Sequence, residues 1–473
     1  MSHADERQNV PGSGSVPMPS ASSPGPVSPW VAELVGRFEA GQAVIGVVGL
    51  GYVGLPLVRA MHAAGYAVVG YDVDPAKIEA LRAGRAYLKH LGEDLPRALA
   101  ASDRFEATAD PARLGRCDAV CLCVPTPLGA HREPDLSFVE RSTAMAAVVM
   151  KRGSLLVLES TSYPGTTRGV CGEILARAGR RVGDGPDGDT LLAFSPERED
   201  PGRRDYETAT IPRLVGGVDA GSGRAAEAMY ARAVRRVIRV SSAEVAESAK
   251  LLENIYRAVN IALVNELKPV LADMGIDIWE VIAAAATKPF GFQAFSPGPG
   301  LGGHCIPIDP YYLTHKAKEF GHVTRFIELA GEINHGMPRQ VVEGLSRALN
   351  DDGLALRGAR VLVLGVAYKP DVDDVRETPA AEIIRLLLQR GAAVSYHDPH
   401  VPVFPEMRRY DLDLASVPLT PEALSGAHAV LIVTDHRAVD YGLVARHARL
   451  VVDTRNAMAR AGATYPSCRV VKA

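Results

Sequence analysis

Short apolar runs, each closed by glycine or a polar turn and separated by stretches of helical spacing, recur at 43–48, 66–71, 119–124, 155–158 and 191–194. They return in the last third at 361–364, 394–396, 429–433 and 450–452. Continuous rather than alternating apolar strands predict parallel sheet covered on both faces, so the chain reads as α/β. The second series echoes the first in order. Val361–Ala367 follows the opening strand and turn, Val394–Asp398 follows Val69–Asp72, Ala427–Thr434 follows Cys117–Thr126, and Arg449–Thr454 follows Leu155–Thr161. Between the two series, Ser242 to about Ala286 is continuously helical, with Leu251, Leu252, Ile255, Val259, Ala262 and Leu263 at helical spacing and no glycine before Gly275. Two doubly wound domains joined by a long-helix domain are expected.

The first strand runs into Gly49-Leu50-Gly51-Tyr52-Val53-Gly54 and a helical pattern, and the next strand ends on Asp72. This is a Rossmann dinucleotide fingerprint in its proper context. Gly49 makes the turn, Gly51 lets backbone approach a pyrophosphate, Gly54 permits close helix packing, and Tyr52 and Val53 complete the cradle at the helix N-terminus. A carboxylate at Asp72 accepts from ribose hydroxyls and repels a 2′-phosphate, which selects NAD over NADP. Thr126 and Thr161 stand at strand ends, where they either face the cofactor or cap a helix. In the last domain the same turn reads Ala367, Tyr368, Lys369, Pro370, followed by Asp371, Asp373, Asp374 and Arg376. Lys369 there suits a phosphate, so a nucleotide site of another type is expected; the alternative is a salt-bridged interface loop.

The loop from Ser296 to Pro310 carries four glycines, 298, 300, 302 and 303, ahead of a single thiol, Cys305. Glycine at this density is unfavourable for folding unless something approaches the main chain. A thiol at a helix start sits among unpaired N–H groups that favour the thiolate, and Asp309 at i+4 would lie on the same face. A nucleophilic cysteine fits this pattern, although a tight turn with a core cysteine would share it. Lys250 and Asn254 are also one turn apart, and as donors they would stabilise an oxyanion if their face meets the loop. The strand 191–195 runs into Pro196, Glu197 and Arg198, a cluster that either faces substrate or is a solvated turn.

Length and charge narrow the picture. At 473 residues the chain is too long for one core, and its 47% hydrophobic and 23% charged residues are those of a globular protein. A net charge of −3 gives no basic surface for nucleic acid. Cys117, Cys121 and Cys123 belong to an apolar stretch and read as core; with Cys171 and Cys468 they make no Cys-x-x-Cys spacing, so no metal is expected and a reduced, cytoplasmic setting is. No apolar window is long enough to span a membrane. The first forty residues are rich in Pro, Gly and Ser, lack a signal-peptide pattern, and are expected to be flexible.

Over about residues 43–465 the chain resembles the UDP-glucose/GDP-mannose dehydrogenase family. The residues that carry this are 49–54, Val124-Pro125-Thr126-Pro127, Glu159-Ser160-Thr161 with Pro164-Gly165-Thr166-Thr167, Ser195-Pro196-Glu197, Lys250 to Asn254, Gly302 to Pro310, and Tyr368-Lys369-Pro370-Asp371. Ile308 where glucose-specific members tend to carry Lys, His304 before the thiol, Lys288 to Phe292 and Pro297 to Gly300 resemble the N-acetylhexosamine branch. After the flexible segment expected at 1–40 from composition, the resemblance implies an NAD-binding domain at 41–238, a central dimerisation domain at 239–340 and a UDP-sugar-binding domain at 341–473. It implies a homodimer that oxidises C6 of a UDP-sugar twice with NAD, UDP-N-acetylglucosamine foremost. UDP-N-acetylmannosamine, UDP-glucose and GDP-mannose are alternatives, and so is a non-catalytic NAD-sensing or scaffold protein. It also implies roles: Cys305 as nucleophile, Asp309 managing protons, Lys250 and Asn254 holding oxyanions, Thr161 orienting water, Glu197 as acid/base. Glu197, Arg198, Lys250, Asn254, Gly302 and Lys369 would contact substrate.

Overall fold

Eight strands form one sheet: β1 (Val44–Val48), β2 (Ala67–Tyr71), β3 (Phe105–Thr108), β4 (Ala119–Leu122), β5 (Ser154–Leu158), β6 (Thr190–Phe194), β7 (Arg213–Gly217) and β8 (Val237–Arg239). Their order is β3-β2-β1-β4-β5-β6-β7-β8, the doubly wound arrangement with its reversal at β1/β4. All pairs are parallel except β6 with β7, where Phe194 stands opposite Gly216. That one reversal brings the start of β7 to the carboxyl edge of the sheet. The computed structural model behind this description covers residues 27–88, 91–129, 132–198, 210–303, 305–407, 410–462 and 466–473; the side chain of Cys305 is outside it.

The described residues fall into two compact units, one of 27–256 with 305–325, the other of 257–303 with 326–473. In the first unit, strands buried on both faces explain the continuous apolar runs. Ile45, Val47, Cys121, Leu155 and Val157 pack on one side with Leu55, Val58 and Met61. Val48, Val120, Leu122, Leu156, Leu158 and Phe194 pack on the other with Leu251, Ile308 and Tyr312. Leu251 belongs to the helix Ala243–Asp273, and Ile308 and Tyr312 to the helix Cys305–Glu319. Both helices are therefore anchored beneath the β4–β6 edge, which positions everything below.

Residues 29–39 correct the expectation of a flexible segment through residue 40. They form the helix Pro29–Glu39, with Pro29 at its first position and Val31, Leu34, Val35 and Phe38 buried at i, i+3, i+4 and i+7. The Tyr66 hydroxyl donates to Phe38 O at 2.9 Å. Arg37 reaches Asp118 at 2.9 Å, the same carboxylate that takes the Val44 N–H and the Lys151 ammonium. Residues 1–26 of that expectation lie outside the described residues.

The second unit has an all-parallel sheet of β9 (Arg360–Leu364), β10 (Ala393–His397), β11 (Ala429–Ile432), β12 (Leu450–Asp453) and β13 (Arg469–Lys472), in the order β10-β9-β11-β12-β13. The division between units falls inside the helix Ala243–Asp273, after Tyr256. The helical run expected to Ala286 breaks at Gly275, whose φ of +75° ends the long helix before Ile278–Ala285 begins. Cys117, Cys121 and Cys123 are buried in the core as expected, and so is Cys171; that burial pushes all four thiols up.

Candidate active site

The glycine turn shows why each position is glycine. A Cβ at Gly49, whose φ is +91°, would lie 2.4 Å from Cys123 O, and one at Gly54 would lie 1.8 Å from Gly49 O. Nothing stands within 4 Å of a Cβ at Gly51, so that side of the turn is open to a ligand. Tyr52 and Val53 lead into the helix Gly54–Ala63 and pack on the core beside it. Asp72 is buried; it accepts the Leu50 N–H at 2.8 Å and the Lys77 ammonium at 3.1 Å on one oxygen, and the Asp74 N–H on the other. The cradle fits a pyrophosphate with an acidic partner for ribose. Thr126 is buried in the loop after β4, where the Tyr312 hydroxyl donates to the next residue's backbone oxygen, Pro127 O, at 3.2 Å.

Past β5 and β6, four of the expected side chains, Thr161, Lys250, Asn254 and Asp309, meet within the first unit, together with the backbone of Glu197. Asn254 donates to Asp309 Oδ2 at 2.5 Å, and the Thr161 hydroxyl approaches the same oxygen at 3.4 Å. Asp309 has no exposed surface, and its other oxygen has no hydrogen-bond partner among the described residues. Burial pushes its carboxyl up to about 7, against the pull of the Lys250 charge and of the Asn254 and Thr161 hydrogen bonds. Lys250, one turn before Asn254, donates to the backbone oxygen of Glu197 at 2.6 Å. Arg198 forks onto Glu253 and reaches Pro212 O. Cys305 opens the helix that carries Asp309 one turn later; as a side chain it lies outside the described residues.

Three buried charges were not among the sequence-based site residues. Arg213, at the start of β7, bonds Glu159, Glu197 and Ser195. Glu159 also takes the Tyr230 hydroxyl, and burial pushes its carboxyl up from the ordinary range against the pull of Arg213. Glu247 accepts from Gly165 N at 2.7 Å, Thr167 N at 2.8 Å and the Thr167 hydroxyl at 2.7 Å. It stands three residues before Lys250, on the same helix face, and that spacing was the one signal the sequence offered.

In the second unit the glycine loop is held from below. Asn265 accepts the Gly298 N–H at 2.9 Å and donates to Asn334, which donates to Ala258 O. A Cβ at Gly302 would lie 2.6 Å from Tyr368 Cβ, so this loop and the turn carrying Lys369 are in contact. Arg455, unmarked by the sequence reading, faces Gly298 closely enough that a Cβ there would sit 2.5 Å from its guanidinium.

The chain matches known proteins along most of its length. Residues 43–234 match the NAD binding domain of the UDP-glucose/GDP-mannose dehydrogenase family, 244–336 its central domain and 362–460 its UDP binding domain. It is 35% identical to a UDP-N-acetyl-D-glucosamine 6-dehydrogenase of Pseudomonas aeruginosa over 79% of this chain and 87% of that protein. It is 34% identical to an NDP-N-acetyl-D-galactosaminuronic acid dehydrogenase of Ralstonia nicotianae over 87% and 95%. The solved structure of the UDP-D-ManNAc dehydrogenase of Pyrococcus horikoshii superposes with a TM-score of 0.79 at 32% identity, covering 90% of this chain and 99% of that one.

Proposed function

Because the chain belongs to the UDP-glucose/GDP-mannose dehydrogenase family, we propose that it oxidises the C6 hydroxyl of a UDP-N-acetylhexosamine, UDP-N-acetylglucosamine foremost, to the uronate. What supports this is the convergence of Lys250, Asn254, Asp309 and Thr161, with the Glu197 segment, one helical turn from Cys305. All three relatives above are named for N-acetylated sugar nucleotides, and Ile308 stands where glucose-specific members tend to carry Lys.

Taking an alcohol to an acid removes two hydrides. Bound NAD+, held by the Gly49–Gly54 turn and Asp72, supplies the hydride acceptor each time. The first oxidation gives an aldehyde, and the alcohol proton passes to a base. The Cys305 thiolate then adds to the aldehyde carbon, and the carbonyl pair moves onto oxygen as a thiohemiacetal. Lys250 and Asn254 stabilise that oxygen. Loss of the second hydride leaves a thioester. Water, oriented by Thr161 and deprotonated by Glu197 or Asp309, adds to it; the C–S bond breaks with its electrons returning to sulfur. Arg198 is a substrate contact of the first unit, and Gly302, in the central domain, and Lys369, in the UDP-binding domain, are substrate contacts of the second. The enzyme works in the cytoplasm, as a homodimer formed through the central helical region.

Purified protein with UDP-N-acetylglucosamine is expected to release two NADH per sugar and a carboxylate product. UDP-N-acetylmannosamine, UDP-N-acetylgalactosamine, UDP-glucose and GDP-mannose tested in parallel rank the C2 and C4 configurations. One NADH per sugar would overturn the covalent second oxidation, and no turnover of any nucleotide sugar would favour the non-catalytic reading.

A further inference from the structure

Arg213 occupies a place that the sheet topology makes unusual. In a doubly wound sheet, ligands bind beyond the carboxyl ends of the parallel strands. Glu159 follows the end of β5, and Ser195 and Glu197 follow the end of β6. Because β7 runs antiparallel to β6, its first residue, not its last, arrives at this edge.

The Arg213 guanidinium donates from each of its three nitrogens. Nε donates to Ser195 Oγ at 2.9 Å, Nη1 to Glu197 Oε2 at 3.2 Å, and Nη2 to Glu159. Its plane lies over the Tyr230 ring, 4.5 Å from the centroid, and Tyr230 donates to the far oxygen of Glu159. Side-chain exposure is 4% for Arg213, 0% for Glu159 and 11% for Glu197, so the network reaches its surroundings only at Glu197. Two further contacts of Glu197 bear on the same placement. Its Oε1 accepts the Arg198 N–H at 2.7 Å and its backbone oxygen takes the Lys250 ammonium. Three desolvated charges are a weak source of stability, since well-packed apolar residues often serve as well. A fixed direction for one carboxylate is what apolar residues cannot provide.

We propose that Arg213 is a positioning residue for Glu197, its guanidinium braced on Glu159 and Ser195 so that the Glu197 carboxylate keeps one direction during proton transfer. This rests on the acid/base role assigned to Glu197 above.

The test is a double-mutant cycle of Arg213→Lys and Glu197→Gln, with kcat, KM for NAD and intact-protein mass during turnover. A lysine keeps the charge but loses the fork. Arg213→Lys is expected to lower kcat about 10- to 100-fold, as a misplacement of about an ångström does, with KM for NAD changed less than about 2-fold. In the Glu197→Gln background the same change should shift kcat by less than about 2-fold, since residues acting as a unit are not additive. A sugar thioester mass should accumulate on the protein in either single variant. Wild-type kcat in Arg213→Lys, or an equal loss in both backgrounds, overturns the proposal while leaving the role of Glu197 intact. Wild-type kcat in Glu197→Gln would instead remove that role, and the proposal with it. Should Arg213→Lys not fold, Ser195→Ala, which removes one brace and no charge, is read by the same cycle: coupling to Glu197→Gln supports the proposal and additivity overturns it.

Discussion

A carboxyl with no exposed surface, two neutral donors on one oxygen and none on the other is poised to exchange a proton. Asp309 is that group. Its folded value of about 7 stands well above the ~3.9 of an exposed aspartate. If it must be ionised to accept a proton, kcat should fall as pH drops below about 7. Asp309→Asn should lose about 100-fold or more in kcat and flatten that limb; an unchanged limb in the variant's pH–rate profile would assign it to another group. Glu247 carries a different consequence. Burial holds its carboxyl up at about 7, against the hydrogen bonds from Thr167 and Gly165. The unfolded chain releases that proton near pH ~4.3, so the folded state binds more protons between there and about 7. Its contribution to stability is therefore full at low pH and is lost as pH rises through this window. Glu247→Gln should narrow the Tm difference between pH 5 and pH 7.5 measured by calorimetry; an unchanged difference would place the linkage elsewhere.

Among elements, the helix Ala243–Asp273 does two things with two faces. Glu247, Lys250, Leu251 and Asn254 face protein, while Leu263, Leu267, Val270 and Met274, at steps of four, three and four, stand exposed as an apolar stripe beside or just past its end. Such a stripe on a surface marks a partner, and it is where a second copy is proposed to dock. Leu267→Glu should shift the sedimentation profile towards monomer; a variant with the wild-type profile would place the contact on another face. The helix shows why some of the site was legible in the sequence and some was not. Lys250 and Asn254 could be paired from their spacing, and so could Cys305 and Asp309, because four residues on a helix is a local rule. That Asn254 would meet Asp309, 55 residues later, follows only once Leu251, Ile308 and Tyr312 share one core. Arg213 was invisible for the same reason: nothing in its neighbourhood says that β7 turns antiparallel.

For the whole molecule, the two doubly wound sheets were legible because the apolar runs repeat in order, yet the repeat hides a divergence. Asp72 takes the Leu50 and Asp74 N–H groups and the Lys77 ammonium, beside a turn that is open at Gly51. Asp398, its echo, takes N–H groups from Val366, Ala367, His400 and Val401 and the His436 ring. Burial opposes ionisation there, but His436 and these amides hold the carboxyl down at about 2. The second sheet thus commits its acid to five contacts within the protein, in a turn where Ala367 and Pro370 stand in the places of Gly51 and Gly54. The helix Pro29–Glu39 was missed because the proline- and serine-rich composition before it masked four apolar positions. That helix sets a limit for anyone trimming the gene. Cutting at the first glycine-motif strand would strip a lid from Tyr66 and leave Asp118 short of one cation, so a shortened version should begin before Ser28 if it is to express in soluble form.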